Sequence, residues 1–186
     1  MNTEIIIPGQ LWLIRDFLSH DKYTFVRNLY RKAENNRLKM LYDNRLLSDW
    51  SETTELNALC DSFTQQFIGL TETIVQPQVG YVSIELPHAH VMMHRIHTDI
   101  KIQVQIPLCT KSTESNSYAF CLAEDVNNTN SDDHQPYRAI QSEECVFVPH
   151  VPGSAIVYLN NPRIFNGMMN KIPENSVRET LWLNYQ

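Results

Sequence analysis

The chain reads as an α+β protein, helices first and strands afterwards, on three observations. Two stretches before residue 78 carry apolar residues at close to helical spacing. From Val79 onward the period shortens to two, giving candidate strands over 81–86, 100–108, 118–122, 139–148, 154–159 and 180–185. Many short strands after the helices suit an antiparallel sandwich or barrel, with the helices backing one face. The 186 residues suffice for one domain, expected over 1–186, with helical support from 1–78 and a stranded core from 79–186.

In order, Ile5-Ile6-Ile7 and Leu11-Trp12-Leu13-Ile14 flank Pro8-Gly9 and predict two short extended pieces around a turn. Ser19 caps a predicted helix whose apolar face carries Tyr23, Val26, Leu29 and Tyr30, with Asp21 in its first turn. The alternation over 37–47 predicts a strand. Ser51 then opens a second helix with a buried stripe of Leu56, Leu59, Cys60, Phe63, Phe67 and Leu70. The polar, acidic run over 124–135 is an expected exposed loop.

Bulk composition excludes several classes. A net charge of −6 without a Lys/Arg run argues against a general nucleic-acid binder. No apolar stretch approaches the roughly 20 residues that cross a bilayer. The opening residues lack the basic and apolar segments of a signal peptide, so a cytoplasmic location is expected. Cys60, Cys109, Cys121 and Cys145 form no C-x-x-C pair and read as reduced, mostly buried thiols.

The chemistry centres on His97-Thr98-Asp99, which runs into the alternation of 100–106. Alternate strand residues share a face, so this imidazole and carboxylate can turn toward one point. They supply two-thirds of the two-His-one-carboxylate set that holds non-haem Fe(II). Alone, H-x-D equally describes a hydrogen-bonded pair at a loop-to-strand junction. Downstream, Pro152-Gly153-Ser154-Ala155 leads into a strand, followed by Phe165-Asn166-Gly167 and by Arg178-Glu179-Thr180.

Taken together, order and spacing resemble the 2-oxoglutarate/Fe(II)-dependent oxygenase superfamily, whose fold is a double-stranded β-helix, or jelly-roll. His97-Thr98-Asp99 is similar to the family's H-x-D, and Pro152-Gly153-Ser154-Ala155 to its P-G-x-A strand. Arg178-Glu179-Thr180 is similar to its cosubstrate-binding R-x-S/T. The stretch 13–19 also resembles the family's strand-to-helix opening, so the likeness covers most of the chain. It implies Fe(II) held by His97, Asp99 and a third group, and 2-oxoglutarate held through its distal carboxylate by Arg178 and Thr180. A guanidinium fork suits a carboxylate because it offers parallel donors. The implied reaction couples oxidative decarboxylation of 2-oxoglutarate to oxidation of a C–H bond in a small-molecule or peptide substrate. No catalytic residue beyond the metal site is implied, and the loops at 110–117 and 124–137 would set the substrate.

Where the family has its distal His, this chain has Asn166, whose amide oxygen is a weaker Fe(II) ligand. Three readings follow. Asn166 ligates directly or holds a water; another histidine, His94 or His150, supplies the ligand; or the chain keeps the fold for binding without catalysis. In that last case a protein carboxylate such as Glu85 or Glu179 would neutralise Arg178. The run His88-Ala89-His90 also invites a cupin-like metal site, but it lacks the expected Glu and leaves Arg178 and Thr180 unexplained.

Overall fold

The computed structural model describes residues 2–41, 44–49, 54–91, 94–110, 118–122, 145–168 and 170–186. The N-terminal region builds β1 (Asn2–Ile7), β2 (Leu11–Arg15), α1 (His20–Arg37), β3 (Leu38–Leu41), β4 (Arg45–Asp49) and α2 (Thr54–Thr71). There follow β5 (Pro77–Glu85), β6 (Ile102–Thr110), β7 (Tyr118–Leu122), β8 (Cys145–Val148), β9 (Ala155–Leu159), β10 (Ile164–Gly167) and β11 (Arg178–Tyr185).

The strands form an eight-stranded sheet in the order β1-β2-β9-β6-β11-β5-β4-β3, faced by a three-stranded sheet in the order β10-β7-β8. Described residues on either side of 92–93 add isolated backbone bonds along the β10 edge of the smaller sheet. His94 bridges Asn166 in both backbone directions at 2.9 Å, Met168 N bonds Val91 O, and residues 88–89 pair with Ile172. The centre of the larger sheet, β9-β6-β11-β5, and the smaller sheet are the two halves of a double-stranded β-helix, as the resemblance implies.

Sequence chemistry explains the local choices. Ser19 caps α1, its hydroxyl accepting from Lys22 N at 3.4 Å and its carbonyl from Tyr23 N at 2.8 Å. Gly9 takes the left-handed conformation that closes the β1–β2 turn, with φ of 70°. The stretch 37–47 is not one strand. It breaks into the β3–β4 hairpin, and Asn44 occupies the left-handed region (φ 58°), which Asn tolerates better than most residues. The expected cap Ser51 and most of the strand expected over 139–148 lie outside the described residues.

Two cores result, because β6 and β11 are covered on both faces. On one face Ile102, Val104, Ile106, Leu108, Leu181 and Leu183 meet the helices through Phe63 and Phe67. Phe17 and Phe63 pack at 4.7 Å, and Phe67 meets Tyr185 edge-on at 5.4 Å. On the other face Leu11, Leu13, Ile156, Tyr158 and Trp182 meet Tyr118 and Phe120 of the smaller sheet. That second core is the interior of the β-helix.

One expectation is corrected. Cys121 and Cys145 are not separate thiols; they are disulfide-bonded, facing each other across β7 and β8 with Cα atoms 4.4 Å apart. Among the described residues no helix is long and apolar enough to cross a membrane.

Candidate functional site

His97 and Asp99 meet, but through a turn and not through strand alternation. Ile100 N bonds His97 O at 3.1 Å, and β6 starts only at Ile102. The turn brings His97 Nδ1 within 3.4 Å of Asp99 Oδ2, and Asp99 N donates to the same nitrogen at 3.3 Å. Both side chains are exposed. Asn160 pins the turn, its amide donating to His97 O at 2.9 Å and to Ile100 O at 2.7 Å.

Asn166 is fully buried on β10, directly opposite Phe120, and cross-strand partners share a face. Phe120 belongs to the interior core, so Asn166 faces the interior too. Its histidine neighbour across the pairing is His94, three residues before His97. The Asn166 amide donates to His94 O at 3.3 Å, while its carbonyl oxygen is buried without a hydrogen-bond partner among the described residues. An orphaned buried carbonyl is costly unless something accepts its lone pairs, and a cation or water can do so. Among the described residues no three His, Cys, Asp or Glu side chains group closely enough to hold an ion. Asn166 thus offers a buried amide oxygen in the interior, whereas the His97 imidazole and the Asp99 carboxylate lie on the exposed turn.

Arg178 opens β11, whereas the His97–Asp99 turn adjoins the other end of that strand, where Lys101 N bonds Tyr185 O at 2.7 Å. The guanidinium and the His–Asp pair thus occupy different levels of the barrel. Arg178 is fully buried and stands opposite Glu85 of β5 in the strand register. Its Nε donates to Glu85 Oε2 at 3.0 Å and its Nη2 to Met168 Sδ at 2.9 Å. Its plane lies 4.3 Å from the Tyr118 ring centre. Among the described residues Nη1 has no hydrogen-bond partner, nor has the buried Tyr118 hydroxyl. Burial pushes that phenol up to about 12, keeping it protonated.

Glu85 also faces Arg45 of β4, its cross-strand partner on the other side, with Nε 3.5 Å from Oε1. Ser83 donates to Oε1 at 2.7 Å, and Trp182 Nε1 donates to Ser83 at 2.8 Å. Burial alone would raise the Glu85 pKa; Arg178 and Arg45 more than offset it and hold the carboxyl below its ordinary value. Glu85, and not Glu179 on the other face of β11, is thus the carboxylate that meets Arg178.

Thr180 is buried two residues along the same face, and its hydroxyl lies 2.9 Å from His150 Nε2. His150 is therefore engaged at the Arg178–Thr180 level. Burial and the neighbouring Arg178 charge push its pKa well below the ordinary value. His90, the other sequence candidate from the histidine run, bonds Met168 O at 2.9 Å.

Sequence reasoning missed Arg45 and Tyr118. A readable signal exists for the carboxylate: Tyr81, Ser83 and Glu85 are polar at period two within a strand covered on both faces. No comparable signal marks Arg45, which arrives by hairpin pairing.

No family model matches the sequence, and no curated protein is similar to it. Solved structures are. A prolyl-4-hydroxylase from Pseudomonas putida superposes with a TM-score of 0.67 at 11% identity, covering 98% of this chain and 95% of that one. This chain has the fold of the 2-oxoglutarate/Fe(II) oxygenases. The epimerase SnoN, solved with Fe3+, alpha ketoglutarate and nogalamycin RO, gives 0.74 at 10% identity over 95% of this chain and 78% of that one. A Trichoplax adhaerens prolyl hydroxylase, in complex with a hypoxia inducible factor peptide fragment, gives 0.66 at 10% identity over 96% and 84%. This oxygenase fold puts Arg178, Thr180 and Asn166 in its interior and His97 and Asp99 on an exposed turn.

Proposed function

We propose that this chain is a 2-oxoglutarate- and Fe(II)-dependent oxygenase with a weakened metal site, acting on a small molecule or peptide. The observation that carries the reading is the free end of Arg178. Among the described residues, a fully buried guanidinium retains an Nη1 without a hydrogen-bond partner, beside a Tyr118 hydroxyl likewise without one. Such orphaned donors are what a small carboxylate satisfies. In this reading Arg178 and Tyr118 bind the distal carboxylate of 2-oxoglutarate, the Met168 sulfur gives way, and Thr180 lines the same level. For His97, Asp99 and the Asn166 oxygen to hold one metal within reach of Arg178, the exposed turn that carries the His–Asp pair would have to fold inward. When bound, the metal and 2-oxoglutarate would let dioxygen act as the oxidant, one oxygen atom entering succinate as 2-oxoglutarate loses CO2 and the other oxidising a substrate C–H bond. The protein supplies position and exclusion of water.

A second reading, a non-catalytic binding protein, is favoured by one observation: Glu85 already accepts from Arg178. Melting the protein with millimolar 2-oxoglutarate and Mn(II), against succinate and no ligand, separates the two. Ligand at a hundredfold excess over Kd stabilises by about 2.7 kcal/mol. A rise absent from Arg178→Ala, each form compared with its own ligand-free baseline, supports the cosubstrate site. No rise at several millimolar favours the binding protein.

A further inference from the structure

The polar residues that line up across three strands form a charge row. Arg45, Glu85 and Arg178 stand directly opposite one another on β4, β5 and β11. Glu85 and Arg178 are fully buried, and the Arg45 side chain is 22% exposed. Two guanidinium groups share one carboxylate, and His150 close by is neutral at ordinary pH. The described side chains of the row therefore keep a surplus of one positive charge, with Arg45 at its partly exposed end. Without Arg45, the Glu85–Arg178 pair would be neutral and the interior would offer an incoming anion no net attraction. Without Glu85, two unpaired guanidiniums would attract it more strongly.

We propose that Arg45 is a positioning residue of the anion site, acting by neutralising Glu85 so that the Arg178 charge stays available to a ligand carboxylate. Glu85 is the built-in competitor that sets how tightly that carboxylate binds. The inference rests on the cosubstrate reading above, but it assigns ligand affinity to the sum of the row and not to Arg178 alone. Charges a few ångströms apart in a poorly solvated site interact strongly enough to change affinity by an order of magnitude.

The test is calorimetric titration of the whole chain with 2-oxoglutarate, and separately with glutarate without metal, which probes the distal-carboxylate end alone. Glu85→Gln should bind about tenfold more tightly than the wild type, and Arg45→Met about tenfold more weakly. The double variant R45M/E85Q restores one surplus charge and should return to within about threefold of the wild type, a rescue that lost packing cannot produce. Equal or weaker binding by Glu85→Gln, or an unchanged Arg45→Met, overturns the proposal while leaving the cosubstrate reading intact. If neither the wild type nor Glu85→Gln binds either acid, the cosubstrate reading fails and the proposal with it. Should Arg45→Met not fold, the comparison of Glu85→Gln with the wild type still decides by its sign.

Discussion

Glu85 accepts the Nε–H of Arg178 at 3.0 Å, between two side chains with no solvent exposure. Such a pair contributes little over a well-packed apolar one, yet removing one partner typically costs about 3–5 kcal/mol because the other charge is stranded. The two deletions are not equivalent here. Glu85→Ala strands both Arg178 and Arg45, whereas Arg178→Ala leaves Glu85 with Arg45 3.5 Å away. Urea denaturation should find Glu85→Ala the more destabilised by at least about 1 kcal/mol. The reverse order would mean that Arg45 does not share the carboxylate.

Among the described residues the buried Asn166 carbonyl oxygen has no hydrogen-bond partner, in the position where the resemblance expects a metal-binding imidazole. Asn166→His should strengthen divalent-ion binding by about tenfold or more, since it completes the two-His-one-carboxylate set. The larger ring in a closed site costs roughly 1–3 kcal/mol of fold stability. Anaerobic Fe(II) titration of both forms checks this. Equal affinity would remove position 166 from the metal site.

The Cys121–Cys145 bridge closes a loop with a sequence separation of 24, which in the chain-entropy picture stabilises by about 3 kcal/mol. Reduction, or Cys121→Ala with Cys145→Ala, should lower Tm by roughly 6–12 °C at this chain size. Intact mass under denaturing, non-reducing conditions after alkylation reads the bridge directly. Alkylation of both cysteines without reductant would contradict it.

The fold was legible because periodicity carries it: the switch from helical to strand spacing near Val79 matches the passage from α2 to β5. The short strand β10 was not, since four residues interrupted by Asn166 and Gly167 carry no readable alternation. Position along the chain singled out Arg178 and offered Glu85 or Glu179 as its carboxylate; only the strand register chooses Glu85. Glu85 is 93 residues away, and Arg45 reaches the row only through the β4–β5 register. His97 and Asp99 do meet, but a turn joins them where strand alternation was expected. The thiol reading of Cys121 and Cys145 failed because their spacing of 24 gives no local pattern; only strand pairing brings them together.

His150 supplies the last prediction. It is buried, bonded through Nε2 to Thr180, and its pKa lies well below 6.5 because of burial and then the Arg178 charge. In the unfolded chain the same imidazole titrates near 6.5. As pH falls through that value the unfolded state takes up a proton that the folded state refuses, so stability is lost toward acid. Glu85, held below its ordinary value, contributes in a separate window: its stabilisation is present above the unfolded carboxyl value near 4.3 and is lost below it. Between about pH 6.5 and 5, then, His150 should contribute a slope approaching 1.4 kcal/mol per pH unit. His150→Gln keeps a hydrogen-bonding group beside Thr180 but does not titrate. Urea midpoints measured from pH 7.5 to 5 should fall less steeply for this variant, by close to one proton. Parallel profiles for the two proteins would mean that His150 is charged in the folded interior, and that the site beside Arg178 is wetter than its burial implies.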